Sequence, residues 1–377
     1  MNPKKEYDAL GLMSGSSLDG LDIAHCRFSI DPDNVGSEVR EWSLLEAETI
    51  PFREEWGERL SALPGASARE LALAHAQFGR YVGELVLGFL EKHRIEPALI
   101  ASHGHTIFHY PEEGMTLQVG DGAAIAAVTG YPVIDNFRMQ DVALGGQGAP
   151  LAPIADKLLF PEYDFMLNLG GIANLTGKGP GRYIAFDSIG ANQVLNALAA
   201  QSGLPYDDGG RLAAGGQLVP ALLEQMERLA FFQKNYPKSL GNDWVRDFMV
   251  KPYLAYEAPL EDKLHTACRQ VARQIARDLE RVLKAEGFPA RQYRMMASGG
   301  GVFNTFLMRC IREECEKVCN LTVEAPSPKA AAFKEAALMA LMGALRIANI
   351  PNCLPSVTNA ARAAIGGAVH QGWRRRV

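Results

Sequence analysis

Residues Gly11 to Phe28 read GLMSGSSLDGLDIAHCRF. Strand-like apolar residues flank a small, hydroxyl-rich turn, with acids at Asp19 and Asp22. One reading is a plain hairpin. The other is a loop that grips phosphate. Gly15 admits close backbone approach, Ser16 and Ser17 bring N–H and hydroxyl donors, and Leu18, Gly20 and Leu21 complete the turn. Asp19 or Asp22 could then orient a hydrated Mg2+, an ion that takes one or two carboxylates plus water and phosphate oxygens. Spacing alone leaves both readings open.

Two further glycine turns raise the same question. NLGGIANLT places Gly170 and Gly171 between apolar segments, and ASGGGVFN places Gly299, Gly300 and Gly301 between a strand and a helix. Two hairpin loops plus a glycine-rich strand-to-helix turn is how actin-like, sugar-kinase-type folds surround a nucleotide. One hairpin from each domain then touches phosphate, and the third turn lies by the adenosine. The commoner signatures GxxxxGK[ST], GxGxxG and HRD are absent.

The chain around these turns has 377 residues, long for one core, so two domains are expected. It is 47% hydrophobic and 21% charged with a formal net charge of -5, which gives no reason to expect nucleic acid or a membrane surface as partner. MNPKKEYDAL has no apolar run behind its lysines, and no window approaches the ~20 apolar residues of a membrane span. A cytoplasmic location is the expectation. Six scattered cysteines, including Cys315 and Cys319 one helical turn apart, read as free thiols in an ordinary amphipathic helix and its surroundings.

Short strand runs alternate with helical ones, an α/β pattern. Strands are expected over Asp8–Met13, Leu21–Ser29, Leu99–Ser102, Tyr131–Ile134, Phe165–Leu169, Arg182–Phe186 and Arg294–Ala297. Leu264, Ala267, Val271, Ile275, Leu279 and Val282 mark one face of a helix stopped near Gly287. AAFKEAALMALMGALRIA, from Ala331, is apolar nearly all round and reads as a buried helix. DVALGGQGAP, Asp141 to Pro150, reads as a crossing between domains. The expected division is 1–138 with the tail 366–377 packed back on it, and 139–365.

Acid–base chemistry needs a carboxylate with room beside it. IAFDSIGANQ puts Asp187 at a strand end before a small-residue turn, where it could be a general base or merely a helix N-cap. SHGHTIFH supplies His103, His105 and His109; the first two share a face if the stretch is a strand, so zinc is conceivable, though substrate contact or packing reads better. Asp207 and Asp208 in YDDGG read as a solvated turn.

Taken together, these segments resemble the 1,6-anhydro-N-acetylmuramic acid kinase family of the actin-like sugar-kinase superfamily. GLMSGSSLDGLD is similar to the family's GLMSGTSLDGxD with Ser16 for Thr. SHGHTIFH, QVGDGAAIA, DVALGGQGAPL, NLGGIANLT, PKSLG, GGGVFN and NCLPSVTNA follow in the family's order. The resemblance implies a two-domain actin-like (ribonuclease H-like) fold with an interdomain cleft that closes on its substrates. It implies a homodimer, ATP and Mg2+ as cofactors, and a small amino-sugar substrate. The implied reaction opens the 1,6-anhydro bridge with water while ATP phosphorylates O6, giving N-acetylmuramate 6-phosphate and ADP in cell-wall recycling.

The resemblance makes Asp187 the base that takes a proton from the attacking water. It places Arg138 at the lactyl carboxylate, a job suited to a planar fork. Glu335, His105 and Asn192 become sugar contacts, and the three glycine turns become the nucleotide site. Departures are local: Ile189, Gly190 and Ala191 stand for the family's Gly-Pro-Gly, Asn136 for an acid, and Asn359 for a glycine. A related kinase acting on another amino sugar or hexose, or a nucleotide-binding sensor without turnover, are the alternatives.

Overall fold

The computed structural model describes residues 5–15, 18, 20–34, 36, 38–180, 182–325 and 328–373. The chain divides into two compact units, 1–160 with 332–377 and 161–331. Each is built on one mixed sheet.

In the first unit, β1 (Lys5–Ser14), β2 (Gly20–Ile30) and β3 (Val39–Pro51) form an antiparallel meander. β4 (Leu99–Ser102) adds parallel to β1, and a small hairpin follows from β5 (His105–Tyr110) and β6 (Met115–Val119). β7 (Val133–Asp135) pairs parallel with β4, and the terminal strand Ala368–His370 pairs antiparallel with β7. β1 and β2 are buried almost throughout because both sheet faces are covered. Helix Lys334–Ile347 packs on β1, β2 and β4, and every residue from Ala336 to Leu345 is buried, as a helix apolar all round requires. A second core joins Trp56, Phe78 and Tyr81 of the neighbouring helices to Leu10, Leu12 and Ile23. Helix Ala68–His93 starts on a capping box, with Ser67 and Glu70 each satisfying the other's backbone N–H.

The second unit repeats the scheme. β8 (Phe165–Leu169), β9 (Ile172–Lys178) and β10 (Tyr183–Gly190) form an antiparallel meander. β11 (Tyr293–Ser298) runs parallel to β8, and β12 (Leu321–Glu324) parallel to β11. Five strands of the first sheet, β3-β2-β1-β4-β7, therefore match β10-β9-β8-β11-β12 strand for strand, and the terminal strand Ala368–His370 adds a sixth beside β7. This doubled topology is that of the actin-like class. Helix Leu260–Ala285 buries Leu264, Ala267, Val271, Ile275, Leu279 and Val282 on the face that the spacing predicts. No helix among the described residues is long and apolar enough to cross a membrane.

Several expectations need correction. The stretch Asp141–Pro150 is no crossing: the chain passes between units near 160 and 331, and 139–160 and 332–365 belong with the first unit. The buried Asp141 carboxylate accepts from the Gly148 N–H at 2.7 Å and the Thr358 hydroxyl at 2.8 Å, folding the glycine run onto its own helix. Asp207 is not solvated either. It is buried, and its carboxylate accepts from the Leu212 and Ala213 N–H groups at 2.9 and 3.0 Å; Asp208 alone reaches solvent and pairs with Arg211. The six cysteines are free thiols, and burial pushes Cys315 up to about 12.

Candidate active site

Asp187 lies inside β10, not at its end. A bulge between Asp187 and Ile189 shifts the register against β9 and lets the strand run on to Gly190. Helix Asn192–Ala199 begins after Ala191 with no side-chain cap, so Asp187 is not an N-cap. Its partners come from PKSLG. Oδ2 accepts from the Leu240 N–H at 2.9 Å and the Ser239 hydroxyl at 3.2 Å, while the Asp187 N–H donates to the Lys238 carbonyl at 3.0 Å. Among the described residues no hydrogen bond engages Oδ1, and the side chain is half-buried. One oxygen is fixed; the other is available.

The glycine turns of this unit meet at Asn192, where the helix after β10 begins; a Cβ at Gly301 would lie 3.3 Å from its side-chain oxygen and one at Gly300 3.7 Å from its amide nitrogen. Gly170 and Gly171 link β8 to β9, and their carbonyls accept from the N–H groups of Asn192 and Ala191 at 3.1 and 2.8 Å. Asn192 also donates its side-chain amide to the Leu169 carbonyl at 3.0 Å, stapling the hairpin to the helix start. Gly299 to Gly301 follow β11 and lead into helix Thr305–Glu316, whose N-cap Asn304 accepts from the Leu307 N–H. Gly299 sits at φ +84, and a Cβ there would meet Asn168 Oδ1 at 2.6 Å and the Leu169 carbonyl at 2.8 Å. Only glycine holds that corner.

The first unit gathers the other candidates. Gly15 and Leu18 are joined by an N–H to carbonyl bond of 3.3 Å, Leu18 at φ +58, and Gly20 and Leu21 open β2. Ser16, Ser17 and Asp19 lie outside the described residues. Asp22 faces Thr49 across the sheet and accepts its hydroxyl at 2.5 Å. His103 and His105 do not share a strand face, because β4 ends at Ser102 and Gly104 turns the chain. His105 Nδ1 is hydrogen-bonded to Ser14 Oγ at 3.1 Å, directly ahead of the loop. Arg138 donates through Nε to His103 Nε2 at 3.0 Å and through Nη1 to the Gly148 carbonyl at 2.7 Å. His109 is hydrogen-bonded to Thr116.

Electrostatics tie these groups together. Burial lowers the basicity of Arg138, and the Glu335 charge pulls it back. Glu335, in the first turn of its helix, has its carboxyl lifted by crowded surroundings and then by Asp22, while Arg138 and Lys334 oppose the lift. The side chain of Glu335 keeps exposed surface, so the crowding is not enclosure. A cation held by oxygen ligands would offset the charge that Asp22 sets against Glu335. The described residues hold no cluster of three or more His, Cys, Asp or Glu, so such an ion would depend on phosphate and water for the rest of its shell.

The family model described as anhydro-N-acetylmuramic acid kinase matches residues 7–372. The chain belongs to that family. Relatives named anhydro-N-acetylmuramic acid kinase include one from Acinetobacter baylyi, 32% identical over 96% of this chain and 98% of the relative. One from Bordetella parapertussis is 35% identical over 96% and 95%, and one from Gloeobacter violaceus 34% over 96% and 98%. Among solved structures, a hexokinase from Schistosoma mansoni complexed with glucose aligns at TM-score 0.38 and 10% identity, over 89% of this chain and 85% of that one. That likeness is too faint to add to the topology.

Two departures from the family pattern have local reasons. Asn136 and Asn359 sit at φ +56 and +61, the left-handed region that asparagine tolerates best among residues with a Cβ. Sequence reasoning missed Ser239 and Leu240 as partners of Asp187, His103 as the partner of Arg138, and Ser14 as that of His105. PKSLG and the histidine run were visible signals, but neither says what it touches.

Proposed function

We propose that this protein is an ATP-dependent kinase that opens 1,6-anhydro-N-acetylmuramate with water and phosphorylates O6. Its products are N-acetylmuramate 6-phosphate and ADP. One observation carries the reading: Asp187 has Oδ2 held by two donors and Oδ1 open. A carboxylate fixed in this way is aimed and keeps an oxygen to accept a proton, which a general base requires.

In this mechanism Asp187 Oδ1 takes a proton from water as the water oxygen bonds to C1. The C1–O6 bond breaks, and its electron pair stays on O6. O6 attacks the γ-phosphorus, the bond to the β–γ bridging oxygen breaks, and ADP leaves. Arg138 binds the lactyl carboxylate, with Nε and Nη1 anchored as described. Glu335, His105 and Asn192 serve as sugar contacts, though the Asn192 amide already bonds the hairpin backbone. N–H groups of the Gly15–Asp22 loop and of Gly170–Gly171 receive phosphate, and the Gly299–Gly301 turn receives the adenosine. Asp22, with Asp19 by sequence alone, would hold Mg2+, which when bound neutralises phosphate charge. The same reading carries a cytoplasmic homodimer, supported by family membership.

The test is ADP release by purified protein with Mg-ATP and 1,6-anhydro-N-acetylmuramate, parent beside Asp187→Asn. Turnover that falls by about 100-fold or more in the variant is expected. Turnover confined to N-acetylmuramate or a hexose would overturn the substrate; full activity of Asp187→Asn would overturn the base.

A further inference from the structure

Behind the Asp187 partners lies an ion pair that the mechanism does not use. Lys238 Nζ donates to Asp278 Oδ1 at 2.9 Å and Oδ2 at 3.1 Å, and the two side chains are only 2% and 1% exposed. Ser188 donates its hydroxyl to Asp278 Oδ2 at 2.8 Å, Gln274 its amide at 3.0 Å, and Arg281 reaches Oδ1 at 3.2 Å. The Lys238 ammonium also rests 5.5 Å from the Phe186 ring and 5.2 Å from the Phe231 ring.

The connectivity is pointed. Asp278 fastens two residues, Ser188 on β10 and Lys238 in the loop. Their chain neighbours, Asp187 on one side and Ser239 with Leu240 on the other, are the groups that meet at the carboxylate. The bulge after Asp187 makes this possible, for it leaves Ser188 fully buried and bonded to the helix behind. Stability alone does not call for such a device. A buried ion pair pays heavy desolvation, and well-packed apolar residues often replace one without loss. What apolar packing supplies less well is a fixed direction for the loop.

We infer that the Lys238–Asp278 pair, with Ser188, is a positioning device that sets the Ser239 and Leu240 donors on Asp187 and so aims its free oxygen. The inference rests on the reading of Asp187 as the base. Neither Lys238 nor Asp278 touches substrate in it; both act through Asp187.

The experiment compares the parent with Lys238→Met/Asp278→Leu, Ser188→Ala and Asp187→Asn, reading thermal unfolding, kcat, and KM for ATP and the anhydro sugar. The apolar pair should unfold cooperatively with both KM values within about twofold of the parent. Its kcat should fall about 10- to 100-fold, the scale of a small misplacement of a reacting group. Ser188→Ala, which leaves the ion pair in place, should lose about three- to tenfold in kcat, and it decides the question should the apolar pair not fold. Added to Asp187→Asn, the apolar pair should lower the residual rate no further, whereas a merely structural role would lower it again. Parent-like kcat in the folded apolar pair, or an additive loss, would overturn the inference. A silent Asp187→Asn beside a fully active apolar pair would overturn it alone. A fully active Asp187→Asn would overturn the base assignment and this inference with it.

Discussion

Arg138 donates its Nε–H to His103 Nε2 at 3.0 Å, and His103 Nδ1 lies 2.9 Å from the Gly104 carbonyl. Those partners fix the imidazole as neutral, with the proton on Nδ1, because a guanidinium needs an acceptor and a carbonyl needs a donor. Burial, and then the Arg138 charge, hold its pKa down at about 3. The unfolded chain takes up this proton from 6.5 downward while the folded chain refuses it, so the contribution is complete above 6.5 and lost as pH falls toward 3. Each pH unit in that window costs about 1.4 kcal/mol. His103→Gln keeps a donor and an acceptor without titrating. Urea unfolding should show the parent losing about 2 kcal/mol more than the variant between about pH 6.5 and 5. Parallel losses would mean that His103 is protonated in the fold.

The fork of Arg138 makes a second prediction. Nε and Nη1 are spent on His103 and Gly148, which sets the plane of the guanidinium and the direction of its remaining donors. Lysine keeps the charge but cannot keep that plane. Arg138→Lys should raise KM for the anhydro sugar by about 10- to 100-fold, the scale of a lost charge-assisted bond, and leave KM for ATP within about twofold. Equal effects on both substrates would remove Arg138 from the sugar.

These residues also mark where the sequence was legible. The glycine turns were readable because a backbone corner such as Gly299 admits one residue type, and their place between strands was readable from period. Asp187 was readable as a candidate acid, but its place inside β10 was not, because the small residues after it mask the bulge that carries the strand on to Gly190. Its holders were not, since Ser239 and Leu240 lie more than fifty positions downstream and nothing local announces the bond. The domain boundary failed for a related reason. Glycines from Gly145 to Gly148 look like a linker, but the buried carboxylate of Asp141 folds them back, and burial of an acid leaves no periodic trace. Asp207 was misread as solvated on the same ground.

Close packing at Gly11 gives a stability prediction that needs no catalytic assumption. A Cβ there would run into the Ala336 carbonyl oxygen and meet the Ala340 nitrogen at 2.6 Å, so helix Lys334–Ile347 lies directly on β1. Neither atom can yield without moving the helix. Gly11→Ala should cost about 3 kcal/mol or more. Gly88, inside helix Ala68–His93, has nothing within 4 Å of its Cβ position. There Gly88→Ala should stabilise by about 0.5–1 kcal/mol, since alanine gives up less backbone freedom. Differential scanning calorimetry of the two variants should move in opposite directions; a tolerated Gly11→Ala would contradict this packing.

Arg138 holds the 145–148 loop by its Gly148 carbonyl. Asp141 grips the same residue by its N–H and reaches Thr358 across more than two hundred positions of chain. Thr358→Val removes one donor to a carboxylate that keeps the other, and should cost about 1.5–3 kcal/mol. Asp141→Ala strands the Gly148 N–H in a buried site and leaves the Thr358 hydroxyl only the Leu354 carbonyl at 3.4 Å, so its cost should exceed that of Thr358→Val by about 1–3 kcal/mol. Because Gly148 then loses its anchor while Arg138 still leans on its carbonyl, Asp141→Ala should also raise KM for the anhydro sugar. Thr358→Val, with Gly148 still held, should leave that KM within about twofold. Chemical denaturation and initial rates on the two variants separate the effects. A Thr358→Val variant as damaged in KM as Asp141→Ala would show that the loop, not the Gly148 anchor, carries the coupling.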